Sequence, residues 1–203
     1  IERIDSLFSK YNKQENEEYM NLKLVTYSRY PIIETGYIKK HGTTQWCDIV
    51  VNKRDTVRIF NNHLYSMSIT DDEQNDIDAG RILADGERMA TILHRIADNS
   101  SLRATHVDTV RSVIAATPYA HVVCGDFNDT PKSYVYRRIS KGLNDAFVEQ
   151  GRGSGYTFRP MHSLLRIDYV LYSDDMECRR YAKDAECHLS DHLPLTVNMK
   201  IKK

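Results

Sequence analysis

Short apolar segments alternate with polar turns along this chain, and the pattern predicts many strands and few helices. The segments with β-branched or alternating character are residues 22–27, 32–38, 47–51, 56–60, 121–125, 166–172 and 193–201. Apolar residues recur at helical spacing in residues 87–97, 102–116 and 134–139. Residues 1–21 are predicted to form a short helix followed by a charged loop, and the acidic residues 70–80 a mobile loop.

The predicted helices cluster in the middle of the chain, which favours a layered α/β or α+β fold with helices packed on sheets. The length of 203 residues suits one domain, and no repeat, linker or low-complexity tract divides it. We therefore expect residues 1–203 to form a single domain.

Composition and charge narrow the functional classes. Hydrophobic residues make up 41% and charged residues 28% of the chain, a balance that is globular and not disordered. Lys and Arg together number 28, as do Asp and Glu, so the formal net charge is zero. This balance counts against a protein that holds nucleic acid through a bulk basic surface. We expect a monomer.

The sequence leaves the cellular location open. No apolar run reaches the about 18 residues that span a bilayer, which predicts a soluble domain. The polar N-terminal segment is not a signal peptide, but the chain begins with Ile1. A leader or anchor upstream would make the domain extracytoplasmic or membrane-tethered. Cys178 and Cys187 either form a disulfide in an oxidising compartment or stay free.

Ionisable residues stand at the ends of four apolar segments, where a sheet can present side chains to a shared cleft. The segments are residues 61–64 (Asn-Asn-His-Leu), 125–128 (Gly-Asp-Phe-Asn), 166–169 (Arg-Ile-Asp-Tyr) and 189–194 (Leu-Ser-Asp-His-Leu-Pro). Each segment alone has an ordinary structural interpretation. Asp126 is then a turn residue and His63 a surface or hydrogen-bonded histidine. Asp168 is then the ion-pair partner of Arg166.

Together, the same segments contain the groups that hydrolysis of a phosphate ester needs. Asp126, Asn128 and Asp191 supply oxygen ligands and amide contacts suited to Mg²⁺ or Mn²⁺. His192 lies beside Asp191, and a carboxylate partner at Asp168 would fix its tautomer and its pKa. A divalent cation, an acid–base group and imidazole donors for phosphoryl oxygens are the components of this reaction.

From Ser28 onward the chain resembles the endonuclease/exonuclease/phosphatase superfamily, which includes pancreatic deoxyribonuclease, abasic-site endonucleases, sphingomyelinases and inositol-phosphate phosphatases. The matching motifs, in the order of the family, are residues 28–31 (Ser-Arg-Tyr-Pro), 62–64 (Asn-His-Leu), 125–128, 166–169 and 190–192 (Ser-Asp-His). Residues 155–158 (Gly-Tyr-Thr-Phe) are a further detail typical of the family. Five short motifs in the correct order make the resemblance specific.

The resemblance implies a deoxyribonuclease-like, four-layer sandwich of two mainly antiparallel or mixed β-sheets flanked by helices, with the site at one end. It implies that Asp126 orients or deprotonates the attacking water and that Asn128 holds the scissile phosphate. Asp191 and Asp126 are the implied ligands of Mg²⁺ or Mn²⁺. The implied substrate is a phosphoester, whether a small molecule, a lipid or a nucleic acid.

The remaining roles also come from the resemblance. His192, held by Asp168, is either the general base or a charged clamp for the phosphate. His63 stabilises the phosphorane-like transition state or helps the leaving oxygen depart. Tyr156 and Arg166 are candidate substrate contacts.

One part of the family pattern is not matched. The family places an Asn on its first strand and a metal-binding Glu, in a Gln-Glu pair, on a following strand. Gln14–Glu15 is the one Gln-Glu pair ahead of Ser28, and because no apolar strand precedes it we predict a solvated loop there. The resemblance thus implies that the first strands are missing from this sequence. Two functions follow: a metal-dependent phosphoesterase, or an inactive member or fragment that acts as a binding domain.

Overall fold

The computed structural model describes residues 2–15, 23–39, 42–160 and 164–202. Its strands are β1 (Asn12–Glu15), β2 (Val25–Ser28), β3 (Ile32–Lys39), β4 (Gly42–Val50), β5 (Thr56–Leu64), β6 (Ala120–Asp126), β7 (Asn144–Asp145), β8 (Asp168–Tyr172), β9 (Met176–Lys183) and β10 (Leu195–Ile201). Its α-helices are α1 (Glu2–Leu7), α2 (Asp71–Asp78), α3 (Gly86–Ala115), α4 (Tyr134–Ser140) and α5 (Ala146–Gln150). A 3₁₀ helix, Arg81–Ala84, lies between α2 and α3.

Six strands form a mixed sheet in the order β3-β4-β5-β6-β8-β7. Strands β5 and β6 run parallel, and every other pair in this sheet is antiparallel. A parallel pair needs a crossover connection, which α3 supplies here. Strands β1 and β2 form one antiparallel hairpin, and β9 and β10 form another.

Each face of the six-stranded sheet has its own apolar core, because successive side chains of a strand point to opposite faces. On one face Phe60, Val123 and Leu171 cluster with apolar residues of α3 and α4. On the other face Val57 and Val122 cluster with apolar residues of β9 and β10. The predicted α/β sandwich, with mixed β-sheet layers flanked by helices, is confirmed.

Residues 70–80 contain a helix, so the prediction of a mobile loop there is wrong. The hydroxyl of Thr70 accepts a hydrogen bond from the backbone N–H of Glu73, and the Glu73 carboxylate accepts one from the backbone N–H of Thr70. This reciprocal capping box satisfies two N–H groups at the start of α2. The helix therefore begins at Asp71.

The two helices predicted for residues 87–97 and 102–116 are one continuous helix, α3. The polar stretch between them does not end the helix, since Asn99 is buried and donates a hydrogen bond to the carbonyl oxygen of Met67. Among the described residues, no helix is long and apolar enough to cross a membrane.

Gln14 and Glu15 lie in strand β1, so the prediction of a solvated loop is also wrong. Gln14 is buried, and its amide donates a 3.0 Å hydrogen bond to the carbonyl oxygen of Trp46. Glu15 forms ion pairs with Lys13 at 2.6 Å and with Lys23 at 3.0 Å. The Glu15 charge is thus matched by two lysines.

The four cysteines are free thiols, so the alternative of a disulfide between Cys178 and Cys187 is not realised. Burial raises the pKa of Cys47 and of Cys124 to about 11. Because the thiolate is the reactive form of cysteine, these two thiols are inert at neutral pH.

Candidate active site

Three ionisable side chains form a row across adjacent strands of the six-stranded sheet. His63 of β5 is paired in register with Asp126 of β6, and Asp126 is paired with Asp168 of β8. Val57 of β5, Val122 of β6 and Tyr172 of β8 face β9 and β10. Each of the three ionisable residues lies an even number of positions from the one on its own strand, so all three point to that same face of the sheet. His63 Nε2 lies 3.8 Å from Asp126 Oδ2. The strand ends thus bring together residues that are far apart in sequence.

Gly125 determines how closely β6 approaches β5 just before Asp126. Its φ of +122° lies in a region that favours glycine, and a Cβ atom there would lie 2.0 Å from the carbonyl oxygen of Asn62. A larger residue would push the two strands apart. The glycine of the Gly-Asp-Phe-Asn motif therefore sets the position of Asp126 relative to His63.

Asn128 is bound tightly to Asp126. Its backbone N–H donates to Asp126 Oδ1 at 2.7 Å, and its side-chain amide donates to Asp126 Oδ2 at 2.8 Å and to the carbonyl oxygen of Leu64 at 3.0 Å. Asn128 has a φ of 50°, a left-handed conformation that Asn tolerates. The amide nitrogen thus donates twice within the protein, and these contacts orient Asp126. The contact of Asn128 with the scissile phosphate stays a prediction.

His192 and Asp168 form a dyad at the end of the row. His192 Nδ1 lies 2.8 Å from Asp168 Oδ2, which leaves Nε2 for the cleft. Burial alone would lower the pKa of His192, but the hydrogen bond to Asp168 and the charges of Asp168, Asp126 and Asp191 outweigh it and raise this pKa to about 9. These contacts therefore favour the charged, imidazolium form of His192.

Asp126 and His63 are shifted in opposite directions. Burial, and then the charge of Asp168, raises the pKa of Asp126 well above the usual range of a carboxyl group. Burial lowers the pKa of His63, and the positive His192 lowers it further. The row thus places a carboxylate with an enhanced proton affinity between a neutral imidazole and a charged one.

Thr157 joins the two motifs that carry Asp168 and His192, a connection that the sequence analysis missed. The Thr157 side chain is fully buried, and its Oγ1 accepts hydrogen bonds from the backbone N–H groups of Ile167 and Asp168 at 3.1 and 3.0 Å. Its carbonyl oxygen accepts a 2.8 Å hydrogen bond from Leu193, the residue after His192. The Gly-Tyr-Thr-Phe motif was the available sequence signal.

Arg103 of α3 connects the loops that follow β5 and β6, and no sequence motif pointed to it. The residue is 1% exposed. Its Nη1 donates to the carbonyl oxygen of Tyr65 at 2.9 Å, and its Nε and Nη2 lie 3.3 Å from Asp129 Oδ2. Tyr65 follows the strand of His63, and Asp129 follows Asn128. Arg103 therefore holds both site-bearing loops against α3.

Two predicted substrate contacts lie elsewhere. Arg166 is buried, with its Nη1 2.9 Å from Asp145 Oδ2, and it also lies over the ring of Phe147. Its partner is thus not Asp168, as the ion-pair interpretation proposed. Tyr156 lies under the ammonium group of Lys183, 3.6 Å from the ring centre. Neither residue lines the cleft, and a contact of either with the substrate stays a prediction.

The row opens into a cleft of about 260 Å³. The cleft is lined by His63, Ser66, Met67, Ile69, Asp71, Gln74, Asp126, Asn128, Phe158, Ile167, Asp191 and His192. A larger cavity of about 960 Å³ lies between the six-stranded sheet and β10, lined by apolar residues such as Ile59 and Met199. It contains no residue of the ionisable row. The smaller cleft is therefore the candidate active site.

The donors of the cleft fit a hard divalent cation. Ligand atoms of Asp126, Asp168 and His192 lie within 4.8 Å of one another. The hydrogen bond between His192 Nδ1 and Asp168 Oδ2 occupies both of those atoms. Of the residues predicted from the sequence, Asp126 and the exposed Asp191 therefore supply carboxylate oxygens at the cleft, and carboxylate oxygens are the ligands that Mg²⁺ and Mn²⁺ prefer.

Comparisons with known proteins agree with this geometry. Residues 19–192 match the Endonuclease/Exonuclease/phosphatase family. A comparison with curated proteins found no match.

Among solved structures, the chain is similar to an endonuclease/exonuclease/phosphatase from Bacteroides vulgatus, with a TM-score of 0.69, 14% identity, and coverage of 99% of this chain and 80% of that one. It is similar to the human Nocturnin catalytic domain with bound sulfate, with a TM-score of 0.68, 14% identity, and coverage of 98% and 76%. A mannosyl-6-phosphatase of Bacteroides thetaiotaomicron gives a TM-score of 0.64 and 14% identity, with coverage of 98% and 80%. At such low identity the structural similarity establishes the fold alone.

The family match covers most of the chain and includes all the residues of the row and the dyad. Members of this family are generally hydrolases that act on phosphoesters. The chain belongs to the endonuclease/exonuclease/phosphatase family.

Proposed function

We propose that this protein is a divalent-metal-dependent phosphoester hydrolase that uses water as the nucleophile. The observation that supports this proposal most directly is the row of His63, Asp126 and Asp168 across three strands, with His192 hydrogen-bonded to Asp168. The family membership and the likeness to a phosphatase structure point to the same reaction class.

Asp126 is the group suited to accept a proton from the attacking water. Its burial and the neighbouring Asp168 charge raise its proton affinity, and Asn128 fixes both of its oxygens. The oxygen of the water forms a bond to phosphorus as the bond from phosphorus to the leaving oxygen breaks. The products are an alcohol and a phosphate, or a phosphomonoester when the substrate is a diester.

His192 and His63 act on the phosphoryl oxygens and on the leaving oxygen. The imidazolium of His192 presents Nε2–H to the substrate, where it stabilises negative charge and supplies the proton that the leaving oxygen takes up. This role agrees with the charged-clamp description and not with that of a general base. His63, which is neutral, offers a further hydrogen bond as charge develops.

Asp126 and Asp191 would hold the cation, Mg²⁺ or Mn²⁺. When bound, the cation neutralises phosphate charge and polarises the phosphoryl group. The Asp191 carboxylate is exposed and accepts a 3.2 Å hydrogen bond from the Ser190 hydroxyl at Oδ1. This hydrogen bond orients the carboxylate and leaves Oδ2 to bind the cation.

The test is hydrolysis of bis-p-nitrophenyl phosphate in the presence of Mg²⁺ or Mn²⁺. Asp126→Ala and His192→Ala should each lower kcat by about 10²–10⁴-fold, the range expected for loss of an acid–base group. Equal rates for these variants and the parent would refute the assignment.

The alternative is a catalytically inactive binding domain, and the placement of Glu15 favours it. Glu15 is paired with two lysines and does not line the cleft, so it does not supply the cation site with a third carboxylate. This alternative predicts no calorimetric signal for Mg²⁺ or Mn²⁺. Metal binding that is lost in Asp191→Ala would exclude it.

A further inference from the structure

Helix α2 lines the cleft together with residues of the ionisable row. Asp71 and Gln74 of α2 line the cleft together with Ser66, Met67 and Ile69 of the preceding loop. Residues three apart on a helix share a face, so Asp71 and Gln74 present their polar groups side by side. We refer to these five residues as the α2 wall.

The α2 wall is held in place by ion pairs to its neighbours. Glu73 accepts a 2.6 Å contact from Arg95 of α3, and Asp76 pairs with Arg88 of α3 and with Arg81 at 2.7 Å. These acidic groups of α2 thus serve to anchor the helix. Asp71 is exposed, lines the cleft and has no ion-pair partner within the described residues.

We propose that the α2 wall binds the leaving group of the substrate, an inference that rests on the proposed function. The leaving group that it selects is small, uncharged and rich in hydroxyl groups, as in a monosaccharide phosphate. The carboxylate of Asp71, the carboxamide of Gln74 and the hydroxyl of Ser66 are acceptors and donors for sugar hydroxyls. The apolar side chains of Met67 and Ile69 suit the C–H face of a sugar ring.

The size and charge of the cleft favour a small leaving group without a second charge. Pockets for drug-sized ligands begin at about 300 Å³, so 260 Å³ suits a phosphoryl group with one ring. The cleft contains the carboxylates of Asp71, Asp126 and Asp191, and a second anionic group on the leaving side would face Asp71.

The test compares three substrates with Mg²⁺: glucose 6-phosphate, glucose 1,6-bisphosphate and p-nitrophenyl phosphate, followed by release of inorganic phosphate. The parent should prefer the monophosphate over the bisphosphate by about 10-fold or more in kcat/KM, because like charges in contact are strongly unfavourable. Asp71→Asn should reduce that preference several-fold. Gln74→Ala should lower kcat/KM for glucose 6-phosphate by about 10-fold relative to p-nitrophenyl phosphate, the loss expected for a hydrogen bond.

The matched control is Asp72→Asn, which removes the same charge from the next position of α2, outside the cleft. It should leave all three rates as in the parent. Equal rates of the parent on the two glucose phosphates, or equal effects of Asp71→Asn and Asp72→Asn, would overturn the inference.

Calorimetric binding of the two glucose phosphates, with Ca²⁺ in place of Mg²⁺, separates this inference from the proposed function. A preference for the monophosphate that depends on Asp71, without hydrolysis of any substrate, would refute the hydrolase and retain the α2 wall. Hydrolysis of p-nitrophenyl phosphate without such a preference would retain the hydrolase and refute the role of the α2 wall.

Discussion

His192 and Asp168, which are 24 residues apart in sequence, are joined by a hydrogen bond of 2.8 Å between Nδ1 and Oδ2. The carboxylate fixes the orientation of the ring and favours its charged form, so that Nε2 is presented to the cleft as a donor. We predict that Asp168→Asn lowers kcat by about 10²-fold or more, as expected when a catalytic histidine loses its orienting carboxylate.

The measurement for Asp168→Asn is steady-state hydrolysis of bis-p-nitrophenyl phosphate, with the unfolding transition recorded in parallel. A variant that folds as the parent does and keeps the parental kcat would show that the dyad has no catalytic role. Asp174→Asn changes a carboxylate outside the cleft lining, so it is the control and should leave kcat unchanged.

Thr157→Val should reduce both stability and activity, whereas Thr157→Ser should retain both. Valine has the shape of threonine but cannot accept the hydrogen bonds from the backbone N–H groups of Ile167 and Asp168. Each buried donor left without a partner costs about 1–3 kcal/mol of unfolding free energy. Urea unfolding monitored by circular dichroism measures this loss. If Thr157→Val and Thr157→Ser are equally stable, the hydroxyl does not have the structural role that we assign to it.

Arg103→Met should destabilise the protein by about 3–5 kcal/mol, since it leaves Asp129 without its buried partner. A double-mutant cycle with Asp129→Asn should give a coupling energy of about 1–3 kcal/mol. Urea unfolding of the parent, the two single variants and the double variant provides the four values. Strict additivity would mean that the contact does not tie the loop after β6 to α3.

Acidification should weaken the docking of α2 on α3. The hydrogen bond from Arg95 lowers the pKa of Glu73 below its ordinary value of 4.5. A carboxyl group with a lowered pKa in the folded state stabilises the protein above the ordinary value, and this stabilisation is lost as the pH falls through the folded-state pKa. Glu73→Gln should therefore be less stable than the parent at pH 7 and match it in strong acid.

The free energy of urea unfolding, measured for both proteins across that pH range, checks this prediction. A difference that persists unchanged in acid would show that the Glu73 charge is not its source. Asp72→Asn, which removes a charge from the same helix without breaking a described ion pair, should show no such pH dependence.

The sequence was sufficient to predict that ionisable residues meet at the strand ends, because its motifs follow β-branched runs. Asp126 comes directly after an apolar segment, and the register of the sheet then places it between His63 and Asp168. The Asp168–His192 pairing followed from the family resemblance. The prediction of these positions therefore depended on local patterns, which the sequence alone contains.

Other features were not predictable because they depend on distant partners. The first half of β4 was not predicted because it contains the polar residues Thr43, Thr44 and Gln45, yet all three are buried. Thr44 Oγ1 donates to Asn62 Oδ1 at 2.7 Å, a contact that only the folded sheet creates. Arg166 looked like a substrate contact because it lies in a family motif, but its partner, Asp145, comes from a separate strand.

One error could have been avoided. Thr70 and Glu73 have the spacing of a capping box, which signals the start of a helix in the sequence itself. The abundance of acidic residues that followed obscured that signal. The consequence was functional, because the missed helix provides Asp71 and Gln74 to the cleft.

The central claim is that Asp126 and a divalent cation act together in phosphoester hydrolysis, and one assay tests it most directly. Release of p-nitrophenol from bis-p-nitrophenyl phosphate is measured for the parent and for Asp126→Asn, each with Mn²⁺ and with excess chelator. We predict metal-dependent turnover by the parent, loss of that turnover in chelator, and a fall of about 10²–10⁴-fold in Asp126→Asn. A rate that is the same in all four conditions would contradict the account.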